Sequence, residues 1–264
     1  EPVENLSVPS THIQTKELED ALLPNYPASN RTAGWFGIKN LWLNPFHPEV
    51  QRFIEDLIIE VVIKYDIDGI QFDDNFGMPI ELGYDWFTRK LYKQEHEGKL
   101  PPKNPADPEW MRWRANKITA FMKTLHDRIK SVKPDCMISL APNPSEFAYN
   151  ESLQDWPAWV KQGLIEELIL QVYRDSPKAF LKELEDPAVK EVRRKIPVGI
   201  GILSGTLSHA VEIKQIQQQV QDVRDRKFQG ISFFYWETLW SYLTPDAPRE
   251  RRRVFQTLFS PSPS

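Results

Sequence analysis

Residues 67–74 read IDGIQFDD, a short apolar run that ends in two adjacent carboxylates. The run has the length of a buried strand, and Asp73 and Asp74 fall where the chain leaves it for a loop. In a (β/α) barrel, catalytic side chains come from the C-terminal ends of the strands. Because like-charge repulsion makes adjacent carboxylates costly, the pair predicts a functional site at this strand end. Capping of a helix or loop is the alternative interpretation.

Apolar runs of strand length alternate with amphipathic segments along the rest of the chain, a pattern that predicts parallel strands joined by right-handed crossovers. The predicted strands are Asn40–Leu43, Gly69–Phe72, Met137–Ala141, Glu167–Tyr173, Val198–Leu203 and Gly230–Trp236. The predicted helices are Pro48–Tyr65, Trp110–Lys133, Glu151–Gly163, Pro177–Lys195 with a break at Pro187, and Glu212–Lys227.

This alternation predicts an α/β fold of the (β/α) TIM-barrel type, incomplete because too few strands are recognised. An open doubly wound sheet is the alternative, but no glycine-rich turn follows the first strand, as a dinucleotide site would require. Residues 75–108 are too long for a passive connection and are interpreted as a lid or a substrate wall. The expected organisation is an irregular N-terminal arm over 1–33, a barrel domain over 34–245, and a C-terminal helix with a polar tail over 246–264.

Composition excludes several classes of protein. The chain has 264 residues, a formal net charge of −4 and a pI near 5.8, which gives no electrostatic footprint for nucleic acid. The single cysteine, Cys136, excludes an internal disulfide and a cysteine-based zinc site and is expected to be buried. No apolar stretch has the length of a membrane span, and neither a serine-hydrolase elbow nor a zinc-binding histidine pair occurs. We expect no cofactor, with a metal held by Asp73, Asp74 and His47 as a minor alternative.

Polar and aromatic side chains follow the predicted strands, and parallel strands would bring them to one face. Carboxylates, amides, tyrosine and tryptophan suit glycoside hydrolysis, in which one carboxyl group protonates the leaving oxygen and a second attacks or activates water. Amides and tyrosines bind sugar hydroxyls, and tryptophan stacks on sugar rings. The candidate substrate-binding residues are Asn44, His47, Asn143, Gln171, Tyr173, Arg174, Tyr235 and Trp236.

The candidate catalytic carboxylates are Asp73, Asp74 and Glu237, with Asp175 in reserve. Glu237 directly follows Tyr235 and Trp236, and an aromatic surround would suit it to general-acid work. The alternative for Glu237 is an acid that interacts with a helix N-terminus.

Two further side chains have open interpretations. Arg174 either pairs with one of the tandem aspartates, which would suit a nucleophile, or holds Asp175 or a neighbouring helix. His47 either lines the site or caps a helix.

Four stretches carry a resemblance to a known family. They are WLNPFHPEVQRFIEDLIIEVVIKYDIDGIQFDD over 42–74, PEWMRWRANKITAFM over 108–122, LILQVYRD over 168–175 and GISFFYWETLW over 230–240. The chain resembles glycosyl-hydrolase-like family 10, bacterial proteins with a TIM-barrel domain, and in particular its cyanobacterial-type members. The tandem aspartates of the family motif match Asp73 and Asp74, its NP motif matches Asn44 and Pro45, and its YR motif matches Tyr173 and Arg174.

The resemblance implies a glycosidase that acts on a bacterial glycan, with cell-wall polysaccharide as the expected class and the cell envelope or the exterior as the expected location. It also implies that the first barrel strands lie upstream of the matching region, where this chain has only residues 1–33. A barrel open on one side would expose strand edges and favour self-association. The alternatives are a non-catalytic glycan-binding remnant of such a barrel and a truncated, partly folded fragment.

Overall fold

A computed structural model of the chain describes residues 42–206, 208–240 and 244–260. The predicted arm over 1–33 and half of the predicted strand Asn40–Leu43 lie outside these residues. The strands are β1 Gly69–Asp73, β2 Met137–Ala141, β3 Glu167–Gln171, β4 Val198–Leu203, β5 Gly205–Thr206, β6 His209–Ala210 and β7 Gly230–Phe234. The helices are α1 Pro48–Lys64, α2 Trp86–Glu95, α3 Pro108–Val132, α4 Ser145–Ser152, α5 Trp156–Lys161, α6 Pro177–Leu184, α7 Pro187–Val192, α8 Ile213–Asp225, α9 Trp236–Trp240 and α10 Pro248–Phe259.

Five parallel strands form one sheet in the order β1-β2-β3-β4-β7. They occur at five of the six predicted positions, and the remaining prediction is the one at the edge of the described residues. Within the described residues β1 and β7 are the two edges, so the sheet does not close on itself. The fold is therefore the predicted incomplete (β/α) barrel, with a short antiparallel pair, β5 and β6, added after β4.

Alternation along the strands separates two faces of the sheet. One face packs against the helices and is apolar, as Ile138, Leu168 and Ile200 show by their complete burial. The other face carries polar side chains, and Ser139 accepts a hydrogen bond from Gln71 at 2.9 Å. The strand C-terminal ends, and with them the candidate site, lie along one edge of this layer.

The helix predictions hold with one correction. Residues 151–163 were expected to form a single helix, but α4 ends where Leu153 adopts a left-handed conformation (φ 54°) and α5 starts three residues later at Trp156. The break at Pro187 is confirmed, because α6 ends at Leu184 and the side chain of Asp186 caps the start of α7.

The long segment after β1 contains a helix that was not predicted. Helix α2 lies within residues 75–108, and the Asp85 side chain caps it by accepting a hydrogen bond from the Thr88 amide at 2.9 Å. The segment also runs close along α4, where Met78 N donates to the Ser152 carbonyl at 2.8 Å. A β-carbon at Gly77 would lie 2.5 Å from the same carbonyl oxygen, so this approach requires glycine.

Candidate active site

Asp74 is the carboxylate that the fold surrounds with hydrogen-bond donors. Asn143, after β2, donates from Nδ2 to Asp74 Oδ2 at 2.9 Å, and Gln171, at the end of β3, donates from Nε2 to Oδ1 at 3.3 Å. Gln171 also donates to the Ala141 carbonyl at 2.6 Å, which fixes its amide. Three neighbouring strand ends thus converge on one half-buried carboxylate, as parallel pairing predicts.

Two residues that sequence reasoning missed position this group. Gln154 is fully buried, and its Nε2 donates to the carbonyls of Asp73 and Phe76 at 3.1 and 3.0 Å, which holds the turn that carries Asp74. Trp156 donates from its indole to the Asn143 carbonyl at 3.0 Å. Gln154 lies in the short connection between α4 and α5 and Trp156 is the first residue of α5, and no local pattern in the sequence marks such long-range contacts.

Asp73 differs from its neighbour. Its side chain is exposed and accepts hydrogen bonds from the backbone and side-chain nitrogens of Asn75, at 2.9 and 3.1 Å. This is the local loop-capping geometry that was the alternative interpretation of the aspartate pair. Asp73 therefore stabilises the loop, whereas side chains from the neighbouring strand ends converge on Asp74.

The Tyr173 ring stacks on Phe234 with the centroids 5.6 Å apart, and its hydroxyl is near enough to Asp74 to be influenced by that charge. Burial, followed by the negative charge of Asp74, raises the pKa of the Tyr173 hydroxyl well above its ordinary value. The hydroxyl therefore keeps its proton through the neutral range and is available as a hydrogen-bond donor beside the carboxylate.

The raised pKa of Tyr173 predicts a loss of stability in alkali. Above pH of about 10 the unfolded chain releases this proton while the folded chain retains it, so the free energy of unfolding falls as pH rises. We expect wild type to lose more stability than Tyr173→Phe between pH about 8 and 10.5, as measured by urea unfolding. Parallel losses in the two proteins would contradict the assigned burial of this hydroxyl.

Arg174 binds a neighbouring helix, one of the open alternatives. Its guanidinium lies 3.1 Å from Glu183 of α6 and also donates to the Tyr173 carbonyl. Asp175 is exposed and pairs with His209 Nε2 of β6 at 2.9 Å. In the described part of the chain, neither Arg174 nor Asp175 therefore has a hydrogen bond with Asp74.

Asn44 and His47 have structural partners. Asn44 is fully buried, and its amide donates to Asp85 and Thr88 at 3.1 and 3.0 Å, which ties the start of α2 to the chain before α1. We expected Asn44 to contact substrate, but it has no exposed surface. His47 caps α1 by accepting a hydrogen bond from Glu49 N, and its ring packs on Phe87. The capping interpretation of His47 is confirmed.

Three aromatic and acidic candidates lie at the end of β7. Tyr235 is half-buried, whereas Trp236 and Glu237 are exposed in the first turn of α9. Trp236 exposes 71% of its surface, with its ring edge-on to Trp240 at 6.0 Å. Glu237 thus reaches solvent from a strand C-terminal end, at the opposite edge of the sheet from Asp74.

A cleft of about 520 Å³ opens next to the Asn143 side of the site. Pro144, Phe147 and Arg174 are among the residues that line it, and Phe147 exposes 50% of its surface. An exposed ring beside hydrogen-bonding groups is typical of saccharide sites.

Two other kinds of site find no support in the part of the chain that the structure describes. No group of three or more His, Cys, Asp or Glu residues there could hold a metal ion. The alternative set of Asp73, Asp74 and His47 is therefore not a metal site in the described residues. Among the same residues, no helix combines the length and the apolar character that a membrane crossing requires. Cys136 is a buried free thiol, as expected.

Comparison with solved structures shows the fold. The glycoside hydrolase domain of PgaB (BpsB) from Bordetella bronchiseptica superposes with a TM-score of 0.67 and 13% identity, covering 92% of this chain and 70% of that one. The catalytic domain of a β-amylase from Paenibacillus polymyxa superposes with a TM-score of 0.62 and 8% identity, covering 94% and 76%. Both are glycoside hydrolase domains of the TIM-barrel type.

Sequence comparison identifies the family. The chain is 30% identical to the glycosyl hydrolase DigH of Escherichia coli (strain K12) over 178 residues, which is 60% of this chain and 38% of that protein. It is 27% identical to the glycosyl hydrolase YngK of Bacillus subtilis (strain 168) over 149 residues, 50% of this chain and 28% of that protein. The chain thus spans well under half of the length of these curated relatives. Residues 15–222 match the family described as Glycosyl hydrolase-like 10, and the chain belongs to that family.

Proposed function

We propose that this barrel segment hydrolyses O-glycosidic bonds in a bacterial glycan, with cell-wall polysaccharide as the substrate class and Asp74 as the central carboxylate. The observation that carries the proposal is the pair of amide donors, Asn143 and Gln171, that hold Asp74 at the strand ends. A carboxylate held in this way stabilises the positive charge that develops on the sugar in the transition state, or activates the attacking water. Membership of a glycosyl-hydrolase-like family supports the reaction class.

Other side chains at the strand ends would bind the sugar. The Tyr173 hydroxyl, protonated at neutral pH, would donate to a substrate oxygen beside Asp74. The exposed rings of Trp236 and Phe147 would stack on sugar faces on either side. The cleft along Arg174 would hold the saccharide beyond the cleaved bond.

Glu237 is the proposed general acid. Asp74 and Glu237 follow the two edge strands, which lie four strand spacings apart, or about 19 Å along the sheet. A catalytic carboxyl pair needs about 5–9.5 Å, so the curvature of the barrel must bring the two strand ends together across its mouth. Substitution of Glu237 tests this arrangement directly.

The first test is release of reducing ends from a panel of bacterial cell-wall and β-linked glycans by the wild-type chain. Turnover of any glycan in the panel would support the proposal that the chain is a hydrolase. Binding of a glycan without turnover of any glycan in the panel would support the alternative, a non-catalytic glycan-binding remnant.

Glu237→Gln distinguishes a general acid from an acid at a helix terminus. We expect turnover of the polysaccharide to fall by about 10²-fold or more, because the leaving oxygen is no longer protonated. Turnover of an aryl glycoside with an acidic phenol leaving group should be largely retained, because that group leaves without a proton. Equal losses on both substrates would remove Glu237 from the acid role.

A further inference from the structure

One face of α2 combines an exposed tryptophan with three cations. Trp86 exposes 65% of its surface, and Arg89, Lys90 and Lys93 are exposed on the same helix. Spacings of three and four residues place these side chains on one face. The Lys90 ammonium lies 4.9 Å from the Trp86 ring centroid, so charge and aromatic surface adjoin. These four residues are called the α2 face below.

The cations of the α2 face have no acidic partner in the part of the chain that the structure describes, which makes them available to an external anion. None of Arg89, Lys90 and Lys93 forms an ion pair with a described residue, whereas Lys117 and Lys130 pair with acids at 2.5 and 2.7 Å. With Gln94 they line an open groove of about 520 Å³, and none of the described residues that line it is acidic. A local charge of +3 on a chain of net charge −4 is a concentrated attraction for anions.

The opposite side of α2 is firmly anchored. Thr88 and Tyr92 are buried, and Thr88 accepts a hydrogen bond from Asn44 at 3.0 Å. Glu95 accepts hydrogen bonds from Lys117 at 2.5 Å and from the Trp113 indole at 2.8 Å. The α2 face is therefore presented by a fixed helix, which lowers the entropy cost of binding.

We propose that the α2 face binds a carboxylate-bearing polysaccharide. Trp86 would stack on the apolar face of a sugar ring, and the three cations would pair with carboxylates along the chain. The choice of a saccharide as ligand rests on the proposed function. The segment that carries α2 starts directly after Asp74, so a glycan held on this face would be tethered to the element that leaves the candidate active site.

The test is binding to polygalacturonate and to its fully methyl-esterified, uncharged form, measured by affinity electrophoresis and calorimetry with the whole chain. We expect tighter binding to the charged polymer, and a weakening as salt is added. Arg89→Gln/Lys90→Gln/Lys93→Gln should raise the dissociation constant for polygalacturonate at least about tenfold. Trp86→Ala should raise it by about tenfold as well, because the stacking surface is lost.

A matched control removes three exposed cations elsewhere. The control variant is Lys161→Gln/Lys214→Gln/Arg253→Gln. It changes the net charge by the same amount, and these three side chains also form no ion pair with a described residue. Its affinity for polygalacturonate should stay within about twofold of wild type if the site is local. A loss equal to that of the α2 triple variant would indicate net-charge attraction and overturn the proposal.

Other outcomes separate this inference from the proposed function and from a lipid ligand. Binding to phosphatidylglycerol vesicles that matches or exceeds binding to polygalacturonate would assign the α2 face to a membrane surface and overturn the proposal. If the α2 variants bind normally while wild type turns over glycans, this inference fails alone; if binding follows the α2 face without any turnover, the proposed catalysis fails alone.

Discussion

Asp74→Asn is expected to lower glycan turnover by about 10³-fold. The substitution preserves shape but removes the negative charge that would face the transition state. It also places an amide against the donors Asn143 and Gln171, which now hold the carboxylate at 2.9 and 3.3 Å. Initial rates of reducing-end release measure the loss. Urea unfolding should show a change of no more than about 1–2 kcal/mol, since the fold around the site is retained.

Asp73→Asn is the matched control, because the same change is made one residue earlier. The Asp73 side chain is exposed, and among the described residues it accepts hydrogen bonds from Asn75, which an asparagine side chain can largely replace. We expect turnover within about tenfold of wild type. A large loss for Asp73→Asn with little for Asp74→Asn would move the catalytic role to the exposed aspartate and contradict the assignment built on the strand-end donors.

The sequence predicts the sheet well because buried parallel strands read as apolar runs. Met137–Ala141 and Val198–Leu203 are found at their predicted bounds, and Gly69 starts β1 as expected. The convergence of Asn143, Gln171 and Asp74 also follows from parallel pairing, since side chains after neighbouring strands share one edge.

The sequence does not predict contacts that join distant segments. Asn44 resembles a strand-end ligand in sequence, yet its partners Asp85 and Thr88 lie 41 and 44 residues away and bury it completely. Gln154 binds the Asp73 carbonyl 81 residues away, and no periodicity marks it. Helix α2 was not predicted, because it lies inside a long segment whose flanking residues have no regular hydrophobic pattern.

The segment between β1 and α3 has the character of a fixed wall. Arg114 of α3 is fully buried, and its guanidinium donates to the carbonyls of Ile80, Leu82 and Pro105 within that segment. One side chain thereby satisfies acceptors on both sides of α2. We infer that the segment shapes the candidate site as a substrate wall, the second of the two interpretations drawn from its length.

Arg114→Met is expected to lower the free energy of unfolding by about 3–5 kcal/mol. The substitution keeps much of the apolar stem but leaves buried carbonyls without a donor, each at a cost of about 1–3 kcal/mol. It also removes the guanidinium that lies 4.5 Å from the Trp110 ring centroid. Burial lowers the pKa of Arg114 to about 10, so the group remains charged at neutral pH and all its donors are present there. Urea unfolding at neutral pH measures the loss.

Arg112→Met is the control on the same helix. Arg112 is half-exposed, pairs with Asp155 at 2.6 Å and lies over the Tyr149 ring, so its loss should cost under about 1 kcal/mol. Limited proteolysis adds a local readout: in Arg114→Met, cleavage within residues 75–107 should precede cleavage of the sheet, because the lost bonds anchor that segment. Equal stability of the two variants, or first cleavage elsewhere, would show that the segment is held by its apolar packing and that the guanidinium contributes little to the wall.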